Sequence, residues 1–229
     1  MSRGWNPTPS RRVVFWRHGR TEWNVLNRFQ GATDVPLDDV GVGQAVAAAP
    51  ALARMAPSAI VSSDLSRAVV TAHELARLTG LAVAQDPALR ETDGGLWQGR
   101  TRDEIIAADP ELFQAWVAGH DIATPNGERR SDVVARVVAA VTGHLAGVPA
   151  GGTLVVVSHG GAIRGAIGGL LGLAPEQWGA LGVLSNCAWS VLSEVTLPAE
   201  PGGQPVTRWR LEEYNAKSAP EQALGADDA

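Results

Sequence analysis

The chain has 229 residues and a formal net charge of −5, with 19 basic side chains against 24 acidic ones. A net negative protein offers no overall attraction to nucleic acid or to an anionic membrane surface, and no stretch approaches the ~18 apolar residues that span a bilayer. Cys187 is the only cysteine, which excludes an intrachain disulfide, and the N-terminal residues lack the apolar segment of a secretory signal. We therefore expect a cytoplasmic protein in which any anionic substrate is bound by a local cluster of positive groups.

Short apolar runs alternate with helical patterns along most of the chain. The predicted strands are residues 13–16, 59–61, 81–84, 154–157, 187–195 and 206–211. The predicted helices are residues 41–55, a segment after Asp64 that ends near Leu78, residues 130–145, and a segment after Gly161 that ends at Leu171. Uniformly apolar strands that alternate with helices are typical of a sheet covered on both faces. We expect an α/β fold, a three-layer sandwich with a mostly parallel central sheet flanked by helices.

Both ends of the chain lack this periodicity. Residues 1–10, which include two prolines, predict a disordered leader, and residues 217–229 predict a flexible tail. No linker or internal repeat divides the segment between them. We expect residues 11–216 to form one domain.

Charged and imidazole side chains follow the predicted strands at the points where those strands end. Arg17 and His18 follow the first strand, Arg67 lies in the first turn of the helix after the second, and His159 follows the strand over residues 154–157. Glu91 lies in a glycine-rich loop. Because ligands of open α/β sheets bind beyond the carboxyl ends of the strands, where helix N-termini present free N–H groups, we expect these residues to meet. Two histidines, two arginines and one carboxylate predict a phosphate site that needs no metal ion.

Several segments, in the same order, resemble the histidine phosphatase superfamily, also called the phosphoglycerate mutase-like family. Its signature, Arg-His-Gly followed by Glu or Thr and then Asn, matches residues 17–24. The resemblance continues through residues 28–31, 34–37, 62–68, 89–91, 127–128 and 158–161. It covers roughly residues 11 to 195 and implies the phosphoglycerate mutase-like fold.

The resemblance implies a role for each matching residue. His18 would be the nucleophile that accepts the phosphoryl group on a ring nitrogen. Glu91 would protonate the leaving oxygen and afterwards activate water. The non-bridging oxygens would be held by Arg17, Arg67 and His159, with a neutral donor from Asn24 and further substrate contacts from Gln30 and Gly160. Because such a cluster neutralises the transferring group, no cofactor is expected.

The core motifs do not separate hydrolysis from phosphoryl shuttling. The loop that ends at Gly99 is similar to that of the phosphatases in this family and lacks the Tyr-Gly of the mutases, so we expect a phosphomonoester hydrolase. A cofactor-dependent phosphoglycerate mutase and a broad-specificity acid phosphatase remain the alternatives. The partner would be a small-molecule phosphate ester, not nucleic acid or a membrane, and both a monomer and a homodimer stay open.

The non-phosphate half of the substrate is predicted from the C-terminal segments. Residues 208–216 resemble a branch of phosphatases that act on a glycosylated phosphoglycerate. The carboxylate of such a substrate needs a cationic partner outside the phosphate cluster, and our candidates, in order, are Arg129, Arg164 and Arg20. Trp23 and Trp97 are candidates to border a sugar. A solvated surface role for these arginines and a packing role for the tryptophans remain the alternatives.

Overall fold

The computed structural model describes residues 10–197 and 206–218. The predicted leader and tail therefore lie outside the described residues, apart from Ser10, Lys217 and Ser218. The strands are β1 (Arg12–Arg17), β2 (Ala59–Ser62), β3 (Val83–Gln85), β4 (Thr153–Ser158), β5 (Trp189–Leu197) and β6 (Val206–Ala216). The helices are α1 (Glu22–Val25), α2 (Asp39–Ala53), α3 (Ser66–Thr79), α4 (Arg102–Ala108), α5 (Pro110–Val117), α6 (Arg130–Ala146) and α7 (Gly160–Leu170).

The described strands form one six-stranded sheet in the order β3-β2-β4-β1-β5-β6. Strands β3, β2, β4 and β1 are parallel, and β5 pairs antiparallel with both β1 and β6. The mostly parallel central sheet is therefore confirmed. In the β1–β4 register Arg17 lies opposite Ser158, so that these two strands end side by side.

The alternation of side chains along β1 divides the hydrophobic core between the two faces of the sheet. Val13 and Phe15 pack with residues of α6 and α7. Val14 and Trp16 point the other way and pack with residues of α2 and α3. All four side chains are fully buried, because successive side chains of a strand point to opposite faces. The predicted three-layer arrangement is confirmed.

The C-terminal strands begin and end at different residues from those predicted. Strand β5 starts at Trp189 rather than Cys187, because Cys187 has a φ of 55° and its backbone cannot continue a strand. Strand β6 extends past Leu211 to Ala216, because it pairs with β5 over that whole length. Helices α1, α4 and α5 were not predicted. Two of them begin at a capping box, formed by Thr21 with Asn24 and by Thr101 with Glu104.

Glycines on one side of α7 let α6 pack closely against it. A Cβ on Gly165 would lie 2.6 Å from Cγ2 of Val134, and one on Gly169 would lie 2.8 Å from Cγ1 of the same residue. The two helices are therefore in close contact where Val134 of α6 meets Gly165 and Gly169 of α7. None of the helices in the described ranges is both long and apolar enough to cross a bilayer.

Candidate active site

The paired ends of β1 and β4 bring two histidines together. His18 directly follows β1 and His159 directly follows β4, and their ring centroids are 5.1 Å apart. The backbone N–H of His18 donates to the carbonyl of Ser158 at 3.1 Å, which extends the ladder by one residue. Both side chains are almost completely buried. His18 and His159, which follow neighbouring strands, therefore lie close together, as expected.

A backbone hydrogen bond fixes the tautomer of His18. Its Nδ1 lies 2.7 Å from the carbonyl oxygen of Gly19. Because a carbonyl can only accept, Nδ1 carries the hydrogen and Nε2 keeps its lone pair. A Cβ on Gly19 would lie 2.3 Å from the carbonyl oxygen of Gly41, so only glycine permits this close approach to α2. His18 thus presents Nε2 in the form that a nucleophile needs.

Burial and neighbouring cations keep both histidines neutral. Burial, followed by the positive charges of Arg67 and Arg17, holds the pKa of His18 well below its usual value of 6.5. The pKa of His159 is lowered well below 6.5 in the same way, by burial and by Arg67. Neutral imidazoles beside two guanidinium groups leave a local positive charge in a chain whose net charge is −5. This is the local cationic cluster that the composition required.

Arg67 is held rigidly from three sides. Its Nη1 donates to the carbonyl of Thr33 at 2.7 Å, its Nη2 donates to the carbonyl of Gly31 at 2.8 Å, and its Nε donates to Nδ1 of His159 at 3.2 Å. The side chain has no exposed surface, and burial lowers its pKa to about 10, which still leaves it charged at neutral pH. A guanidinium has five N–H groups. The two that remain, one on each Nη atom, are available for an anion.

His159 has hydrogen-bond partners at both ring nitrogens. Nδ1 accepts from Arg67, so the ring hydrogen lies on Nε2, which is 2.9 Å from Oγ of Ser63. The resemblance implied a direct contact between His159 and a phosphoryl oxygen. In this structure the ring nitrogens of His159 contact Arg67 and Ser63, and the contact with a phosphoryl oxygen stays a prediction.

Glu91 lies at the N-terminus of α7. Its Oε2 accepts from the backbone N–H of Gly161 at 2.8 Å, and its Oε1 accepts from those of Ala162 and Thr92 at 2.9 and 2.8 Å. A Cβ on Gly161 would lie 2.8 Å from Oε1, so glycine is needed for this contact. Three backbone N–H groups therefore fix both carboxyl oxygens of Glu91 beside the first turn of α7.

Arg17 and Asn24 complete the phosphate cluster. Arg17 donates through Nη1 to the carbonyl of Leu184. Oδ1 of Asn24 accepts from the N–H of Thr21 at 3.1 Å and from Nδ2 of Asn186 at 3.2 Å. Because Oδ1 of Asn24 is held by these two donors, its amino group points away from Thr21 and Asn186 and can donate a hydrogen bond to a ligand.

A cavity of about 490 Å³ opens over this cluster. Of the eight residues predicted for the phosphate site, all except His159 line it: Arg17, His18, Asn24, Gln30, Arg67, Glu91 and Gly160. Oε1 of Gln30 is buried and has no hydrogen-bond partner among the described residues. The cavity continues beyond the cluster to Arg164, which lies one turn after Gly160 on α7. The structure therefore joins the predicted phosphate site to a larger binding space.

The wall of this larger space is aromatic, and part of it comes from α5, a helix that the sequence did not predict. Phe113 and Trp116 of α5 line the cavity together with Phe29. The ring of Trp116 packs edge-on against Phe29, with the two ring centroids 5.8 Å apart. The guanidinium carbon of Arg130 lies 4.1 Å from the centroid of Trp116. Arg130, at the first position of α6, also lines the cavity.

Four residues proposed for the non-phosphate half lie outside the cavity lining. Arg20 pairs with Asp38, with Nε 2.8 Å from Oδ2. Arg129 is exposed, and its Nη1 donates to the carbonyl of Asp121 at 3.0 Å. Trp97 is only 2% exposed and lies within the aromatic cluster, while Trp23 lies beside Gly99. The surface alternative describes Arg129, and the packing alternative describes Trp23 and Trp97. Arg20 instead forms an ion pair.

Arg130 could have been recognised from spacing alone. It precedes the buried residues Val133, Val134 and Val137 of α6 by three, four and seven positions. Residues at that spacing share one helix face, whereas Arg129 is the N-cap and lies off that face. Of these two arginines, Arg130 is therefore the one that faces inward.

Within residues 10–197 and 206–218, no group of three or more His, Cys, Asp or Glu side chains is arranged to hold a metal ion. The ligand-binding capacity of the described site rests on guanidinium, imidazole and amide groups and on the first N–H groups of α7.

The two buried histidines predict acid sensitivity of the fold. Below pH 6.5 the unfolded chain binds protons at these positions, whereas the folded protein, in which both pKa values are lowered, does not. Stability is therefore fully present above about pH 6.5 and decreases as the pH falls below it. We expect the thermal midpoint to drop less between pH 7.5 and 5.5 in His18→Asn than in the wild type, as measured by calorimetry. His120→Asn, at an exposed position, is the control, and equal drops in all three proteins would contradict the prediction.

The comparisons with known proteins agree with this geometry. Residues 13–209 match the family described as the histidine phosphatase superfamily (branch 1). The chain is 41% identical over 216 residues to glucosyl-3-phosphoglycerate phosphatase of Mycobacterium tuberculosis, covering 91% of this chain and 96% of that protein. The solved structure of the mycobacterial glucosyl-3-phosphoglycerate phosphatase in complex with VO3 superimposes with a TM-score of 0.83 at 41% identity, covering 90% of this chain and all of the other.

A more distant solved structure has the same fold. Phosphoserine phosphatase of Entamoeba histolytica, in complex with 3-phosphoglyceric acid, matches with a TM-score of 0.73 at 26% identity, covering 90% of this chain and 98% of that one. Fold and site together define an α/β enzyme with a cationic phosphate pocket around a buried histidine pair. The chain belongs to the histidine phosphatase superfamily, branch 1, and is a phosphatase of that superfamily acting on phosphate esters.

Proposed function

We propose that this protein hydrolyses a phosphorylated glycerate or sugar ester in two steps, through a phosphoryl group carried on Nε2 of His18. The observation that carries the proposal is the hydrogen bond from Nδ1 of His18 to the carbonyl of Gly19. It leaves Nε2 unprotonated beside Arg17 and Arg67, in the cavity that a substrate would enter.

In the first step the lone pair of Nε2 attacks phosphorus and the bond from phosphorus to the ester oxygen breaks. The leaving oxygen takes a proton from Glu91, and the alcohol departs. The guanidinium groups of Arg17 and Arg67, together with the amide of Asn24, neutralise the non-bridging oxygens. His159 acts on this step through Arg67, because its Nδ1 accepts from Nε of that residue.

In the second step water attacks the phosphohistidine and gives its proton to the Glu91 carboxylate. The bond from phosphorus to Nε2 breaks, inorganic phosphate leaves, and His18 and protonated Glu91 are regenerated. Hydrogen bonds from the N–H groups of Thr92, Gly161 and Ala162 hold the Glu91 side chain in place for this step. The sum of the two steps is hydrolysis of one ester bond.

Glucosyl-3-phosphoglycerate is the substrate we propose, or a similar phosphorylated glycerate. The names of two relatives support this choice, since one is a glucosyl-3-phosphoglycerate phosphatase and the other was solved with 3-phosphoglyceric acid. The cavity volume of about 490 Å³ exceeds what a phosphate group alone needs and lies within the range of small-molecule sites. Its aromatic wall gives a sugar ring apolar surface to pack on.

The proposed function is tested by phosphate release from a panel of esters in the presence and absence of a chelator. The panel contains glucosyl-3-phosphoglycerate, 3-phosphoglycerate, glycerol 3-phosphate and p-nitrophenyl phosphate, with an assay for interconversion of 2- and 3-phosphoglycerate alongside. We expect the highest kcat/KM for glucosyl-3-phosphoglycerate and unchanged rates with the chelator.

Three other outcomes would favour a different function or overturn the mechanism. Similar kcat/KM for all four esters would favour the broad-specificity phosphatase, and interconversion without phosphate release would favour the mutase. Loss of activity with the chelator, restored by a divalent cation, would overturn the metal-independent mechanism.

A further inference from the structure

Within the described residues, two neighbouring arginines of the cavity belong neither to the phosphate cluster nor to an ion pair of the fold. Arg130 and Arg164 both line the cavity. Among the described residues, neither guanidinium donates a hydrogen bond or lies within 4 Å of a carboxylate. Half-buried cations that neighbour each other with no carboxylate in contact are unfavourable unless something else compensates them.

Helix packing brings these two arginines to the same place. Arg164 directly precedes Gly165, where the Cβ-free surface of α7 admits Val134 of α6. Arg130 lies one turn before Val134. Burial, followed by the positive charge of Arg164, lowers the pKa of Arg130 to about 10, while the negative charge of Asp121 acts in the opposite direction.

Arg130 lies over the ring of Trp116. The guanidinium carbon lies 4.1 Å from the centroid of the indole. Stacking on an aromatic face leaves the N–H edges of a guanidinium directed outwards, where they suit a planar carboxylate. Arg130 therefore lines the cavity as a cation that contacts no carboxylate of the described residues and can bind an anion that enters.

We propose that Arg130 and Arg164 form a second anion subsite, which binds the carboxylate of a phosphorylated hydroxy acid while its phosphate occupies the His18 pocket. The inference rests on the proposed function, because it takes the His18 cluster as the phosphate site. Arg164 follows Gly160 by one helical turn, which is about 6 Å along the axis of α7. A three-carbon phosphorylated acid spans a separation of that order between its phosphate and its carboxylate.

The subsite is tested with two ligands that differ in one group. In 3-phosphoglycerate a carboxylate stands where glycerol 3-phosphate has a neutral hydroxymethyl group. We expect Arg130→Gln and Arg164→Gln each to lower kcat/KM for 3-phosphoglycerate by about 10- to 100-fold and that for glycerol 3-phosphate by less than about threefold. Arg129→Gln, the exposed neighbour, is the matched control and should change neither value.

A binding measurement separates this inference from the proposed hydrolysis. In a His18→Ala background, which cannot form the phosphohistidine, calorimetry should show the same selective loss of 3-phosphoglycerate affinity with Arg130→Gln and Arg164→Gln. If the wild type releases no phosphate but this loss occurs, the proposed function fails and the subsite stands. If hydrolysis occurs and the variants weaken both ligands equally, the subsite is overturned and the proposed function stands. Arg130→Lys, which keeps the charge, should recover part of the affinity, whereas a purely packing role would give no charge-dependent recovery.

Discussion

His18→Ala should abolish phosphate release from every ester, by at least about four orders of magnitude in kcat, the scale on which removal of a covalent nucleophile acts. The variant keeps the guanidinium groups of Arg17 and Arg67 but has no atom that forms a bond to phosphorus. The expected loss is therefore of the reaction itself rather than of phosphate binding. His73→Ala, an exposed position on α3, is the control and should retain full activity.

The same variant tests the intermediate directly. Rapid mixing of the wild type with substrate, followed by an alkaline quench that preserves phosphohistidine, should give a protein whose mass has increased by one phosphoryl group at His18. His18→Ala should show no increase. Phosphate release by a folded His18→Ala protein, or a phosphoryl group found at another residue, would refute the proposed mechanism.

Glu91→Gln should slow phosphoryl transfer from an alkyl ester much more than from an aryl ester. An alkoxide is a poor leaving group and needs a proton as the bond breaks, whereas nitrophenolate leaves with little help. We expect single-turnover rates with glycerol 3-phosphate to fall by about 10²- to 10⁴-fold and those with p-nitrophenyl phosphate by less than about tenfold. Single turnovers are required because breakdown of the phosphohistidine is common to both esters and needs Glu91 as well.

Arg67→Lys gives the contrasting pattern. It keeps the positive charge but loses the forked N–H groups that face the transferring phosphoryl group, which both esters share. Both single-turnover rates should therefore fall by a similar factor, about 10²- to 10³-fold. Equal slowing of the two esters by Glu91→Gln would show that Glu91 is not the acid for the leaving group.

Two controls keep the Glu91 experiment interpretable. The amide group of Gln cannot accept through its nitrogen, so at least one of the N–H groups of Thr92, Gly161 and Ala162 loses its acceptor, at a cost of about 1–3 kcal/mol in folding stability. The thermal midpoint must therefore be measured alongside the rates. Asp93→Asn changes the next carboxylate of the loop, which accepts from the N–H of Gly95, and should leave the difference between the two esters unchanged.

The sequence determined the parts of this protein that depend on local pattern. Continuous apolar runs and their helical neighbours predicted the parallel sheet, because a strand covered on both faces must be apolar throughout. His18 and His159 were recognised as a pair because each follows such a strand, and neighbouring parallel strands end at the same edge. The position of the pocket was predicted from that shared edge.

Only the tertiary structure decided which arginines face the ligand space. Arg129 and Arg130 are adjacent and chemically identical, and the packing of α6 on the glycines of α7 turns one outwards and the other into the cavity. Arg20 was assigned to the substrate from its position beside His18, but Asp38, distant in sequence, binds it instead.

The hydrogen-bond partners of His159 were decided in the same way. The atoms that reach its two ring nitrogens belong to Ser63 and Arg67, on the segment that follows β2. Local sequence fixes strands, caps and the residues at strand ends because each depends on near neighbours. The direction and partner of a long polar side chain depend on residues far along the chain, and only the folded arrangement brings these together.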